Sequence, residues 1–311
     1  MKKNLNILIT GGTGSFGKKF VELTLKRYNP RRLVVFSRDE MKQWFMQRDY
    51  ANEKRLRFFL GDVRDKDRLN RALDGIDYVV HAAANKIVTT AEYNPFETVK
   101  TNILGAMNLI DVCINRGIKK VIALSTDKAC NPVNFYGATK LASDKLFVAG
   151  NSYSNYHRTK FSVVRYGNVM GSRGSIIPFL LKQKKNNKEF TLTHPEMTRF
   201  MTTLESSVNQ VWNALSEMKG GEIFVRKNPS VKIIDLMKMI DSKRKIKIIG
   251  IRPGEKLHEV MVSKDDWPTT VEKKDHFIIY PKKGNNIKFK DREEYSSQSN
   301  NDKLSAKDLK N

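Results

Sequence analysis

The sequence predicts an α/β fold: a doubly wound parallel sheet followed by a smaller C-terminal lobe. Three observations carry this. Short β-branched runs alternate with helical patterns through the first half of the chain, a glycine-spaced turn follows the first of those runs, and the alternation lapses in the second half. At 311 residues the chain is long enough for a sheet domain with a sizeable core and a smaller lobe beside it.

The expected strands of the first half are 6–10, 32–36, 57–60, 78–81, 120–125 and 161–166. Helices are expected between them. The stretch 96–116 places Val99, Ile103, Ala106, Leu109, Ile110 and Cys113 close to the helical period, and so reads as one long helix. Beyond it, 176–185, 203–218 and 233–241 read as helices, and 222–225 and 246–251 as strands. From about residue 282 Lys, Asn, Ser, Gln and Asp dominate, the composition of an extended or partly disordered tail that can wrap over the lobe.

The turn after the first strand reads Thr10-Gly11-Gly12-Thr13-Gly14-Ser15-Phe16-Gly17, with a helix expected over 18–27. Glycines let the chain turn sharply and let phosphates approach, and the helix N-terminus adds free N–H groups and a positive dipole end. Strand, loop and helix together make this a Rossmann-like dinucleotide site. The second strand ends at Ser37-Arg38-Asp39, where an acidic residue suits the ribose hydroxyl of NAD and an arginine the 2′-phosphate of NADP. Ser37 and Arg38 at the tip favour NADP. Asp62 and Val63 close the third strand, where a carboxylate can catch the adenine amino group, and Ala82 closes the fourth, where small side chains admit the cofactor backbone. The chain is divided accordingly: 1–168 as the NADP-binding domain, completed by parts of 200–230, then 169–281 as a substrate-binding lobe and 282–311 as the tail.

Tyr136 and Lys140 form a YxxxK pair, which on a helix shares one face. A phenol has a pKa near 10; a fixed cation and a positive nicotinamide favour the phenolate, so Tyr136 becomes a usable base. Thr126, Asp127 and Lys128 stand at the end of the fifth strand, on the edge where open α/β sheets bind ligands. An acid beside an amine suits elimination, one group taking a carbon-bound proton and the other protonating a departing hydroxyl.

Composition excludes several alternatives. The formal charge of +24 is spread along the chain, and the dense clusters Lys182–Lys185 and Lys243–Lys245 carry no interleaved aromatics, so no nucleic-acid partner is expected. The charge instead draws in a diphosphate. Cys113 and Cys130 sit in no CxxC, and five scattered His have no ligand spacing, so no metal is expected. No apolar run approaches the ~20 residues that span a bilayer. Nor does the start of the chain read as a signal peptide, so a cytoplasmic protein without a membrane partner is expected.

The stretch 125–145, from Ser125-Thr126-Asp127-Lys128 through Tyr136-Gly137-Ala138-Thr139-Lys140 to Ser143-Asp144-Lys145, closely resembles the inverting UDP-N-acetylglucosamine 4,6-dehydratases, members of the extended short-chain dehydrogenase/reductase superfamily. These enzymes open the route to pseudaminic acid and related sugars. The resemblance continues through 161–175, Met197-Thr198-Arg199-Phe200, 220–225 and 251–259, and runs from the glycine loop to at least Tyr280. It implies that Tyr136 with Lys140 supports hydride removal from C4 of the sugar to NADP. It implies further that Lys128 removes the C5 proton while Asp127 assists loss of the C6 hydroxyl. Retaining relatives carry Asp-Glu where this chain has Asp127-Lys128, which fits inversion at C5. Asn168, Arg173, Arg199, Arg252 and Glu255 match residues expected to hold the UDP moiety, for which arginine forks are suited. After the fourth strand the family usually reads Ala-Ala-Leu-Lys-His-Val-Pro; here Lys86 is kept, as a cofactor- and substrate-side residue, but Asn85, Ile87 and Thr89 depart. Relatives form oligomers, and a homo-oligomer is expected. The rival reading is a 4-epimerase on the same scaffold, which oxidises C4 but needs no acid–base pair for elimination.

Overall fold

The computed structural model of the chain describes residues 4–154, 159–282 and 293–305. The first half runs β1 (Asn6–Thr10), α1 (Ser15–Arg27), β2 (Arg32–Ser37), α2 (Glu40–Asp49), β3 (Leu56–Leu60), α3 (Lys66–Ala72) and β4 (Tyr78–His81). Two short helices follow, α4 (Val88–Tyr93) and α5 (Pro95–Val99), then α6 (Gly105–Asn115), β5 (Lys120–Thr126), α7 (Phe135–Tyr153) and β6 (Lys160–Tyr166). The second half contributes β7 (Asn168–Val169), α8 (Ile176–Lys185), β8 (Phe190–Leu192), β9 (Thr198–Thr202), α9 (Leu204–Glu217), β10 (Ile223–Arg226), β11 (Ser230–Lys232) and α10 (Ile233–Ile240). It ends with β12 (Ile246–Ile248), β13 (Val260–Val262), β14 (Thr270–Glu272), β15 (His276–Ile279) and β16 (Tyr295–Ser296).

The main sheet has nine strands in the order β14-β15-β10-β6-β5-β4-β1-β2-β3. From β3 to β10 every pairing is parallel; β15 and β14 close the far edge antiparallel. Alternation along each strand divides the core. Leu8, Val34, Leu109 and Phe147 face one layer, while Ile7, Ile9, Phe20, Val35 and Trp212 face the other. In the second layer Trp212 of α9 stacks on Tyr28 at a centroid distance of 3.9 Å, so α9 covers the sheet beside α1. A third cluster, Leu180, Phe190, Leu192, Met197, Met201, Val231 and Leu236, is the core of the lobe. Strand order reverses at β1 between β2 and β4, and open sheets of this kind bind ligands in the crevice outside the carboxyl ends there.

The α/β doubly wound expectation holds, with local differences. The helix expected over 96–116 is broken by a π-helical turn, Lys100–Leu104, between α5 and α6. Its side chain Asn102 is buried and bonded to both Asn85 N (2.8 Å) and Asn85 O (3.0 Å), and to Thr139 Oγ1 (3.0 Å). A regular apolar helix has no use for such an amide; the wider turn goes with a polar anchor beneath the loop that carries Lys86. The strand expected over 246–251 stops at Ile248, and the edge strands β14 and β15, too short and mixed to signal themselves, extend the main sheet. In the expected tail, 283–292 and 306–311 lie outside the described residues. The part between is ordered: β16 pairs antiparallel with β13, Leu304 is buried in the lobe core, and Leu304 N donates to Ser230 O at 2.9 Å. Among the described residues no helix is long and apolar enough to cross a membrane, and no group of His, Cys, Asp and Glu is placed to hold a metal.

Candidate active site

The carboxyl ends of the parallel strands and the lobe enclose a cavity of about 1260 Å³. Gly11 lies at φ +65°, and a Cβ there would stand 2.9 Å from the main chain of Ala82 and Ala83. At Gly17 a Cβ would meet Gly12 O at 2.4 Å. Gly11 therefore lets the loop press on the chain that follows β4, and Gly17 lets α1 press on the loop, more closely than any side chain permits. Gly14 caps α1 without a side-chain bond, so the helix N-terminus stays open to an anion. Thr13 Oγ1 meets Ser37 Oγ at 2.7 Å and ties the loop to the end of β2. Phe16 lines the cavity and stacks toward Tyr166, with centroids 6.4 Å apart. Asp39, the acidic residue at the tip of β2, is engaged elsewhere: it caps α2 by accepting from Lys42 N at 2.9 Å and is paired with the Lys42 ammonium. Arg38 is left at the lip, more than half exposed, 3.5 Å from Asp62. Asp62 is held as a carboxylate: burial works against the charge, but Arg64, bonded at 2.8 Å, and Arg38 outweigh it. Val63 is buried beneath Gly105, and Ala82 N donates to Thr10 Oγ1 at 3.2 Å. This cradle, which no Cβ could enter at Gly11 or Gly17, fits a dinucleotide.

At the other end of the cavity, β5 delivers Thr126 to the rim, and a 3-10 turn, Asp127–Ala129, follows directly. Asn134 caps α7 by accepting from Gly137 N at 2.8 Å. At Gly137 a Cβ would stand 2.2 Å from Lys128 O, so only glycine lets α7 press on that turn. This close approach brings Tyr136 into the same cavity as Asp127 and Lys128. Asp127 is 1 % exposed and its Oδ1 accepts from Thr126 Oγ1 at 3.0 Å and from Lys128 Nζ at 3.1 Å. Lys128 Nζ also donates to Glu259 Oε1 at 2.9 Å.

A lysine that serves as a base calls for a pKa below its ordinary value. Burial does act in that direction, but Asp127 and Glu259 overcome it and hold Lys128 as an ammonium, above its ordinary value. Likewise, the cation acting on Tyr136 is Lys128 rather than Lys140. Burial pushes the Tyr136 phenol up to about 12, with Lys128 and the Thr126 hydroxyl pulling the other way. Lys140 is almost fully buried, its ammonium disfavoured by burial and partly restored by Asp144. Asp144 in turn accepts from Ser125 Oγ at 2.6 Å and faces Arg165 at 3.8 Å.

The residues expected around the UDP moiety separate. Asn168 and Arg252 line the cavity; Arg252, largely exposed, pairs with Glu255 at 3.4 Å at its mouth. Arg173 reaches the cofactor side instead: its N–H meets Ser15 Oγ at 3.2 Å and its guanidinium meets Thr13 O at 3.4 Å. Lys86 Nζ donates to Arg173 O at 3.1 Å, linking the two halves of the crevice. Arg199 is buried and satisfied within the lobe, donating to Thr198 O (2.7 Å), Leu257 O (3.1 Å) and Lys256 O (2.8 Å). Its donors hold the 256–257 main chain at the wall of the cavity, which Arg199 also lines. The sequence reading assigned no role to Glu259, Asp144 or Arg165. Glu259 closes a quoted motif, but nothing in that motif shows that it points at Lys128.

The architecture is a Rossmann-like, doubly wound α/β fold. Residues 7–281 match the family model described as polysaccharide biosynthesis protein, and the chain belongs to that family. It is 53 % identical over 289 residues to a UDP-N-acetylglucosamine 4,6-dehydratase (inverting) of Campylobacter jejuni, covering 93 % of this chain and 85 % of that one. It is also 42 % identical over 291 residues to a UDP-glucose 4-epimerase of Rickettsia canadensis, covering 91 % and 84 %. Among solved structures, Pen from Bacillus thuringiensis superposes with a TM-score of 0.91 at 38 % identity, covering 99 % of this chain and 96 % of that one. A dTDP-glucose 4,6-dehydratase of Streptomyces venezuelae, at 21 % identity and a TM-score of 0.73 over 81 % and 87 %, shares the fold.

Proposed function

We propose that the chain is an NADP-dependent dehydratase of UDP-N-acetylglucosamine. It oxidises C4, eliminates water across C5 and C6, and returns hydride to C6 with inversion at C5, giving a UDP-4-keto-6-deoxy-L-arabino-hexosamine. The observation that carries this reading is the Asp127–Lys128 pair, bonded at 3.1 Å in the cavity that also holds Tyr136. An epimerase oxidises C4 but has no elimination for such a pair to serve.

Gly11, Gly14, Ser15, Phe16, Gly17, Ser37, Arg38, Asp62, Val63, Ala82 and Lys86 would hold the cofactor. When bound, the nicotinamide would supply a reversible hydride acceptor, and its positive charge in the oxidised form would favour the Tyr136 phenolate. Tyr136 takes the C4 hydroxyl proton, with Lys140 behind it. The Asp127–Lys128 pair then needs no outside proton. Moving one proton from Lys128 Nζ to Asp127 Oδ1 turns ammonium and carboxylate into amine and carboxylic acid. The amine takes the C5 proton made acidic by the C4 ketone, and the acid protonates the departing C6 hydroxyl, which leaves as water. The pair ends as it began. The proton lost from the C4 hydroxyl balances the one that C5 regains from its other face. Asn168, Arg252 and Glu255 face the UDP moiety, with Arg173 and Lys86 between it and the cofactor. A homo-oligomer belongs to the same reading, supported by exposed Tyr93, Phe96, Leu104 and Met107, and so does a cytoplasmic location.

The test is mass spectrometry after incubation with UDP-N-acetylglucosamine and NADP: loss of one water is expected, and an unchanged mass, from epimerisation or from no reaction, overturns the reading. The cofactor preference has its own test. A charge-assisted bond is worth about 1.5–3 kcal/mol. Arg38→Ala therefore weakens NADP binding roughly tenfold to a hundredfold and leaves NAD nearly unchanged, as measured by calorimetric titration. Equal losses for the two cofactors sink the assignment of Arg38.

A further inference from the structure

Glu259 stands immediately before β13 and is 1 % exposed, yet it lines the catalytic cavity. One carboxylate oxygen accepts from Lys128 Nζ at 2.9 Å; the other has no hydrogen-bond partner and lies 3.9 Å from Lys256 Nζ. Arg199 Nε approaches Oε1 at 3.7 Å. The main chain of Glu259 is gripped by the C-terminal segment: its N–H donates to Ser297 Oγ at 2.9 Å, and its carbonyl accepts from Ser297 N at 2.8 Å. Ser297, fully buried, also meets Thr198 Oγ1 at 2.7 Å, and Thr198 meets His258 Nδ1 at 2.8 Å. A buried carboxylate has a large desolvation cost unless it is paired, and its pairing partner here is the amine of the elimination step.

We propose that Glu259, clamped by Ser297, is a positioning residue for the elimination: it fixes the Lys128 amine against Asp127 and keeps the shared proton on that pair between turnovers. This rests on the dehydratase reading. The groups facing Lys128 are Asp127 on its own turn, Tyr136 on α7, Arg199 on β9, and Glu259 with Lys256 before β13. Of these, Asp127 and Glu259 favour the ammonium and Arg199 opposes it. Removing one of two carboxylates lets the pair lose its proton at lower pH. The acid–base couple is then emptied earlier on the alkaline side.

The experiment compares wild type with Glu259→Gln, using UDP-N-acetylglucosamine and NADP. Dehydration and single-turnover nicotinamide reduction are measured across pH. The expected result is a fall of roughly tenfold or more in dehydration kcat, KM within about twofold, C4 oxidation retained, and an alkaline limb moved down by about one pH unit. Glu259→Asp, which keeps the charge at a shorter reach, is expected to restore the limb but not the full rate. Wild-type rate and limb in Glu259→Gln overturn the proposal, and so does an equal loss of oxidation and dehydration, the mark of a merely structural residue. Should Glu259→Gln not fold, Ser297→Ala decides: a fall in dehydration with oxidation intact supports the clamp, and no fall or an equal fall overturns it. Failure of wild type to dehydrate the sugar is a different result and counts against the function itself.

Discussion

Lys128→Met abolishes dehydration and exchange at C5 while leaving C4 oxidation in place. Lys128 is the only amine bonded to Asp127 among the described residues, and the proton the pair shares is the one that elimination moves. Methionine matches the length of the side chain but can neither carry nor accept a proton. General-base contributions are typically about 10²–10⁴-fold, so at most a trace of dehydration remains. Tyr136 and Lys140 are untouched, so hydride removal from C4 persists and reduced nicotinamide accumulates. The decisive measurement is turnover in heavy water: wild type gives product with deuterium at C5 and inverted configuration, and the variant gives neither. Deuterium entering C5 at a near-normal rate in the variant assigns the base to another residue. The substitution also leaves Asp127 and Glu259 buried without their shared cation. Removing one partner of a buried pair costs about 3–5 kcal/mol, less where the lost partner is partly exposed, as Lys128 is. A lower thermal midpoint in a protein that still binds NADP is therefore expected beside the loss of activity.

Tyr136→Phe stops the reaction one step earlier. The hydroxyl is small and the ring is packed, so cofactor and substrate still bind, but no group takes the C4 hydroxyl proton. The expected loss in kcat is at least about a hundredfold, with neither reduced nicotinamide nor dehydrated product in a single turnover. The two variants are thereby separated: nicotinamide is reduced in Lys128→Met and not in Tyr136→Phe. Near-normal turnover in Tyr136→Phe removes this residue from the mechanism.

Much of this was legible before any coordinates. The parallel strands β1 to β6 are short apolar runs bounded by turns, and each lies within a residue or so of its expected place; all but the edge strand β3 are β-branched and largely buried, and such strands admit few other residues. The cofactor loop and the YxxxK helix are local patterns, complete within about ten residues, and local patterns survive in sequence. What was missed is non-local. That Arg199 holds the carbonyls of residues 256 and 257 is visible only once the fold brings them together. Lys128 reads as half of a local pair with Asp127 until Glu259, 131 positions away, is seen beside it. Asn102 looks like a polar interruption in an apolar helix until Asn85 and Thr139 are seen around it. In each case the sign of an interaction depends on a partner that only the fold supplies.

The grip of Ser297 on Glu259 also has a consequence for how the molecule is made. The six strands from β1 to β6 pair within residues 6–166, and their core can collapse while later residues are still being added. Synthesis proceeds at about 5–20 residues per second, slower than such collapse. The lobe differs: β13 gains its partner strand, and Ser230 its bonds to Asp302 and Leu304, only when the last described segment arrives. Until then Glu259 has no clamp, and the lobe core lacks Leu304. A nascent chain thus pairs the strands beneath the glycine loop well before Glu259 gains its grip from Ser297.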